Sequence, residues 1–355
     1  MRDLEMFSDN KLYVEDIEYI YSAIDDWSSF SGKTFFITGA TGLIGTVLVD
    51  ALMYASIVKR HGIKVIALTR NTDNATRHFG PYLKDSDSCL RLVKGDVCTP
   101  IEVESEIDYI INLASNTHPG LYSAKPIETI ESIVSGTKNV LDLAVKKNVN
   151  RVINASSVEV YGENRGDVER FSEDYCGYIN CNTLRAGYPE GKRLAESLSQ
   201  AYKAEKGVDV VSARIARVYG PTVLVSDRKA ITQFIANAIK AEDVILKSEG
   251  LQRFSYIYVA DVITGLLLLL TSGESGEAYN ISGDEDIPLK DVAKVLAGIN
   301  SREVVVDAQL VDGASVVQHA LMDSKKMKDL QWSTRFNLAE GLARTVDIIR
   351  SKNAT

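Results

Sequence analysis

Eight residues, Thr38-Gly39-Ala40-Thr41-Gly42-Leu43-Ile44-Gly45, restrict the folds open to this chain more than any other segment. They follow a short apolar run, Thr34-Phe35-Phe36-Ile37, and open a helical stretch predicted over Leu43 to Ser56. Small residues at 39, 42 and 45 let backbone N–H groups approach a pyrophosphate, which then sits at the positive end of the helix. A glycine motif alone is weak evidence, but set between a strand and a helix it marks a dinucleotide cradle. Gly39, Thr41, Gly42, Leu43, Ile44 and Gly45 are the candidate cradle residues.

The alternation then repeats. Further apolar runs at 64–68, 90–93, 109–113, 151–155 and 208–213 read as strands, with helical stretches such as 127–147 and 190–206 between most of them. Short buried strands alternating with helices imply an α/β fold, a Rossmann-type doubly wound parallel sheet. After Gly220-Pro221 the regularity breaks into helices (229–241, 260–271, 289–298) and short strands. Residues 31–221 are therefore expected to form the dinucleotide-binding domain, and 222–355 mainly a smaller C-terminal α/β substrate lobe interleaved with the last strands of the sheet. The 355-residue length suits two such units at about 150 residues each. Residues 1–30 read as a helical extension. Val14, Ile17, Ile20, Tyr21, Ile24 and Trp27 predict an amphipathic helix over 12–27 that covers a core face.

Charge and cysteine content exclude several classes. Forty basic against 48 acidic residues leave a net charge of −8, a poor match for nucleic acid or an anionic membrane. The longest greasy run, Gly265 to Leu270, is far short of the roughly 20 residues that cross a bilayer. Cys89, Cys98, Cys176 and Cys181 have no metal-ligand spacing, so no metal is expected. Reduced thiols and a first segment without signal-peptide character suggest a cytoplasmic protein.

Chemistry concentrates at three strand ends. Thr69-Arg70-Asn71 stands where many NAD sites carry a carboxylate for the ribose 2′-OH, so Arg70 invites a 2′-phosphate and with it NADP. Gly95-Asp96-Val97 follows the third strand, where Asp96 is placed to bond the adenine amino group. Tyr188 and Lys192 are spaced i, i+4 on a predicted helix, so the ammonium is expected to favour the phenolate and make Tyr188 a general base below its usual pKa of about 10. Ser157, after the strand at 151–155, can orient the oxygen that Tyr188 deprotonates. Glu159 is an ionisable group among apolar neighbours at the same strand end, either functional or paired, with Arg185 the candidate partner.

These ordered motifs resemble the extended short-chain dehydrogenase/reductases, the nucleotide-sugar epimerases and dehydratases, from about residue 33 to 347. The resemblance includes Thr38 to Gly45, Asp96, Asn112-Leu113-Ala114-Ser115, Ser157, Tyr188/Lys192, Arg214 to Pro221, Tyr258-Val259-Ala260-Asp261 and Leu338-Ala339-Glu340-Gly341-Leu342. It implies that Val97, Leu113, Ala114 and Ser115 join the cofactor site, and that the cofactor is NAD. Arg185 to Glu196, Ala114 to Thr129 and Ser157-Val158-Glu159 look closest to the UDP-glucuronate decarboxylase branch. The 4,6-dehydratases carry an acidic pair where this chain has Val158-Glu159. A 4,6-dehydratase, a 4-epimerase or a silent nucleotide-sugar sensor are the alternatives.

The resemblance also exposes three departures. The usual Asn in R-x-x-N-x-Y-G-P is Arg217. The Arg seven residues before Asp261 is Phe254, with Arg253 one position early. The D-x-R arginine is Lys229, beside Arg228. In relatives these positions grip the nucleotide diphosphate, so Arg217, Arg228, Lys229 and Arg253 are expected to bind substrate, along with Arg185 and the loop residue His118. Family members pair through the helices at about 127–147 and 190–206. A homodimer is expected, with Ile127, Ile130, Ile133 and Val134 as a candidate apolar stripe or as residues facing the sheet.

Overall fold

The computed structural model describes residues 10–83, 89–116, 122, 124–223, 229–307 and 319–354. His118 and Arg228 lie outside the described residues.

The chain opens with α1 (Lys11–Ser22), β1 (Thr34–Thr38), α2 (Leu43–Met53), β2 (Lys64–Thr69), α3 (Thr72–Phe79), β3 (Leu90–Lys94) and β4 (Tyr109–Asn112). Then come α4 (Pro126–Lys147), β5 (Arg151–Ser157), α5 (Gly187–Lys206), β6 (Val210–Ile215) and β7 (Arg217–Tyr219). The C-terminal part holds α6 (Ala230–Lys240), β8 (Val244–Leu246), β9 (Arg253–Phe254), β10 (Tyr256–Tyr258), α7 (Val259–Ser272) and β11 (Ala278–Ile281). It ends with β12 (Ile287–Pro288), α8 (Leu289–Gly298), β13 (Val304–Val306), β14 (His319–Ala320), α9 (Lys325–Asp329) and α10 (Leu338–Ala354).

Seven strands form one sheet in the order β3-β2-β1-β4-β5-β6-β11, every adjacent pair parallel. Both faces are covered, so β1, β4 and β5 are buried almost throughout. The strand order reverses between β1 and β4, and such a switch point leaves a crevice at the C-terminal strand ends. β11 returns from the C-terminal part to the edge of this sheet. The remaining strands make β7–β10, β12–β9–β14 and β8–β13 ribbons.

The N-terminal helix is shorter than its apolar spacing suggests. Asp25-Asp26 interrupt it, and Asp26 caps a separate turn by accepting from Ser28 N at 2.8 Å, so Trp27 is buried from that turn. All four cysteines are free thiols. Among the described residues no helix is long and apolar enough to cross a membrane.

Candidate active site

The cradle is built as its glycines demand. Gly39 has φ +66°, and a Cβ there would meet Leu113 C at 2.8 Å and Ala114 N at 2.9 Å. At Gly45 a Cβ would fall 2.2 Å from Gly39 O. Gly42 caps α2 without a side chain, and the first turn of α2 carries no acidic residue. The helix therefore presents bare N–H groups and its positive end at the crevice, which suits a pyrophosphate.

A row of polar side chains holds the rim of this crevice. Thr38 and Asn112, cross-strand neighbours at the ends of β1 and β4, bond at 2.7 Å, and Asn112 donates to Asn154 on β5 at 3.0 Å. Thr38 Oγ1 also accepts from Leu113 N and Ala114 N, each at 3.1 Å, which fixes the loop leading to Ser115. Sequence reasoning had given this row no role. Its signal was a polar residue near the end of each of three otherwise apolar strands.

On the β3 side, Asp96 accepts from Cys98 N at 2.9 Å, closing a local turn that leaves the carboxylate half-exposed, and Val97 packs under α4 at Gly136. Arg70 is exposed and lies 3.5 Å from Glu128 on α4. Lys125 first, and Arg70 among lesser partners, hold the Glu128 carboxyl below the usual carboxylate range. A carboxylate thus does stand beside Arg70, delivered by α4 and not by β2.

The chemical centre assembles at the ends of β5 and α5. Tyr188 is buried, with Tyr122 stacked on it at 4.6 Å between ring centroids. Burial pushes the Tyr188 phenol up to about 12, while the Ser157, Ser115 and Tyr122 hydroxyls act against that rise and the Glu159 charge adds to it. The expected lowering by Lys192 is corrected here. Its Nζ donates to Ala155 O at 2.7 Å and sits 5.9 Å from the Tyr188 ring centroid, and burial lowers its own pKa to about 8. Desolvation dominates both groups.

Ser157 faces the phenol. Ser156 instead donates to Glu196 at 2.5 Å, and Glu196 holds Arg214 at 2.7 Å, so the first serine is tied into a structural network. Glu159 pairs with Arg185 at 3.8 Å, both partly exposed, so the cleft beside Tyr188 contains an ion pair. Arg217 stacks over Phe254 at 3.6 Å from the ring centroid. Arg253, grouped with the substrate ligands from sequence, is exposed and donates to Asp286 at 2.7 Å. Lys229 takes the cap position of α6.

Across residues 35–282 the chain matches the NAD dependent epimerase/dehydratase family. The chain belongs to that family. Two similar members are UDP-glucuronic acid decarboxylases. The chain is 30% identical to number 6 of Arabidopsis thaliana over 88% of its own length and 87% of the relative, and 30% identical to number 1 of Xenopus tropicalis over 94% and 76%. Among solved structures, the dTDP-glucose 4,6-dehydratase of Streptomyces venezuelae with NAD bound is 25% identical, with TM-score 0.75 over 90% of this chain and 98% of the other. The UDP-glucuronic acid 4-epimerase of Bacillus cereus, 21% identical with TM-score 0.75 over 90% and 99%, shares the fold. Membership of the epimerase/dehydratase family accounts for a sheet, a glycine cradle and a Ser–Tyr–Lys set meeting at one crevice.

Proposed function

We propose that this chain is a nucleotide-sugar enzyme that acts on UDP-glucuronate, passes through a transient 4-keto sugar and releases carbon dioxide. The observation that carries this reading is the Glu159–Arg185 pair beside Tyr188 and Ser157, with apolar Val158 between the two strand-end residues. A 4,6-elimination needs an acid and a base at that point; decarboxylation needs a cation for the enolate charge that develops as neutral carbon dioxide leaves. The naming of the relatives supports the same choice.

Gly39, Gly42 and Gly45 at the head of α2, with Asp96, Val97 and Leu113 to Ser115, would hold a dinucleotide. When bound, a nicotinamide supplies hydride exchange at C4, so that no net oxidant is consumed. With a positively charged nicotinamide bound beside it, the Tyr188 phenol would ionise below the value that burial sets, so that it could take the proton of the C4 hydroxyl and later return it, while Ser157 orients that oxygen and Lys192 fixes the β5 end through Ala155. The C4 ketone turns the C5 carboxylate into a β-keto acid. Arg185 neutralises the enolate oxygen formed as carbon dioxide departs, the enolate then takes a proton at C5 from water, and Glu159 holds Arg185 in place. The lobe formed after residue 222 receives the nucleotide.

The cofactor we assign is NAD. Arg70 already faces Glu128, whose negative charge opposes a 2′-phosphate and suits a 2′-OH. We also assign a homodimer. Ile127 (71% exposed) and Ile130 on α4 and Leu194 on α5 present apolar surface on two packed helices, whereas Ile133 is buried against Tyr122 and Tyr188 and takes no part in such a stripe. Sizing by light scattering at micromolar concentration should give a dimer mass, and Ile127→Lys a monomer.

The reaction is tested by incubating the purified protein with UDP-glucuronate and weighing the product. Loss of one carbon dioxide supports the assignment. Loss of water points to a dehydratase, a new sugar of equal mass to an epimerase, and an untouched panel of nucleotide sugars to a binding protein.

A further inference from the structure

Arg193, one residue beyond Lys192 on α5, points its guanidinium at two backbone carbonyls from different parts of the chain. Its Nε donates to Val160 O at 2.8 Å, in the turn Val158–Tyr161 that carries Glu159. Its Nη2 donates to Gly177 O at 2.7 Å, in the segment that leads to Arg185. Nη1 lies 3.7 Å from Glu190, one turn back on the same helix. The two segments also touch each other. Glu163 N donates to Tyr178 O at 2.9 Å. A Cβ on Gly177 would fall 2.2 Å from Tyr161 O, and one on Gly162 would fall 2.4 Å from Tyr178 O. Two glycines thus let two backbones meet, and one planar fork fastens both to α5.

The groups assigned to C4 stand apart from this junction. Tyr188 and Lys192 are placed by α5 itself and by the Lys192 bond to Ala155 O, and Ser157 pairs in register with Ile215 within the sheet. The Glu159–Arg185 pair depends on the junction from both sides. Glu159 sits in the turn whose Val160 carbonyl is held, and Arg185 in the turn Leu184–Ala186 further along the segment that Gly177 anchors. Between Gly177 and Arg185, Asn182 N and Thr183 Oγ1 both donate to Asn180, bonds that shape the segment without tying it to the sheet. At 3.8 Å and partly exposed, the pair is weak on its own, so the backbone decides where its charges stand.

We propose that Arg193 is the positioning residue of the step that follows oxidation at C4. By fastening the Glu159 turn and the Gly177 segment to α5 it sets the Glu159–Arg185 pair for loss of carbon dioxide, and it leaves proton and hydride transfer at C4 to groups held independently. This rests on the UDP-glucuronate reading above.

The test is a single turnover of UDP-glucuronate by the full-length protein loaded with NAD, following the absorbance of reduced nicotinamide and the carbon dioxide released. In Arg193→Gln the reduced cofactor should appear within about threefold of the parent rate, while carbon dioxide release falls about 10- to 100-fold, the range for lost charged hydrogen bonds, so reduced nicotinamide accumulates. Arg193→Lys keeps the charge and one of the two bonds; it should lie between, and it serves where the glutamine variant does not fold. Amide hydrogen exchange reads the junction without turnover: Arg193→Gln should speed exchange over 159–163 and 177–186 and leave 188–192 as in the parent. Equal slowing of both steps, carbon dioxide release within about twofold of the parent, or unchanged exchange in both segments overturns the assignment. A parent that leaves UDP-glucuronate intact, with the exchange changed as expected in the variant, would remove the proposed reaction and keep the placement of the pair by Arg193.

Discussion

Lys192 donates its hydrogen bond to the carbonyl of Ala155 and stands 5.9 Å from the ring centroid of Tyr188. The lysine therefore reaches the catalytic strand through its backbone. Its buried ammonium is held at a pKa of about 8, against 10.5 when solvated. Below about pH 8 the folded and unfolded chains both carry the proton, and the folded state bears the cost of the buried charge. Between about 8 and 10.5 the unfolded chain holds more protons, so this group's contribution to stability rises with pH. Lys192→Met should accordingly melt above the parent at pH 7, and the difference should shrink towards pH 10.5. Thermal melts across that range check it; a constant difference would remove the buried charge from the account.

The N-terminal helix is tied down by buried hydroxyl–carboxylate bonds. Tyr13 donates to Asp50 on α2 at 2.5 Å, Tyr19 to Asp261 on α7 at 2.7 Å, and Asp16 accepts from Tyr258 at 2.5 Å and from Arg344 on α10 at 2.9 Å. Burial, opposed by Tyr258 and Arg344, raises the Asp16 carboxyl to about 6. A raised carboxylate pKa means the folded state binds more protons between about 4 and 6, so stability from this group falls as pH rises through that window. Asp16→Asn should flatten this slope. Tyr19→Phe should cost about 1–3 kcal/mol by removing one of the two hydrogen bonds to Asp261 Oδ1, the other coming from Arg335 N, read by urea unfolding.

Cofactor choice should answer to Glu128. Glu128→Gln removes the carboxylate facing Arg70 and should raise NADP affinity about tenfold or more while changing NAD affinity little. Fluorescence titration of both dinucleotides measures the ratio. An unchanged ratio would place the 2′ position elsewhere.

Arg185→Gln should slow carbon dioxide release by about 10²-fold, the scale of an electrostatic group at a developing charge, with UDP affinity unaltered. Stopped-time product analysis and UDP titration separate the two effects, and a parallel loss of UDP binding would reassign Arg185 to the phosphates.

The sheet was legible from the chain because its strands are buried on both faces and so read as apolar runs, and because the glycines at 39 and 45 tolerate no side chain. Ser157, Tyr188 and Lys192 were legible as a set because helix spacing and a strand end bring them to one crevice. What was hidden depended on partners distant in sequence. Asp25-Asp26 ended a helix whose apolar period ran on to Trp27. Ser156 and Ser157 are alike as letters, and only Glu196 distinguishes them. Arg217 and Phe254 each looked like a lost contact, and their stacking needs β7 and β9 in space. The tyrosine pKa was misjudged because a single i, i+4 contact was weighed without the burial of both groups.

The central claim is that Tyr188 moves the proton at C4. The most direct measurement compares the parent with Tyr188→Phe for turnover of UDP-glucuronate, with NAD binding and melting temperature as controls for the fold. The expected result is a loss of about 10²-fold or more with both controls unchanged; turnover equal to the parent would contradict the mechanism.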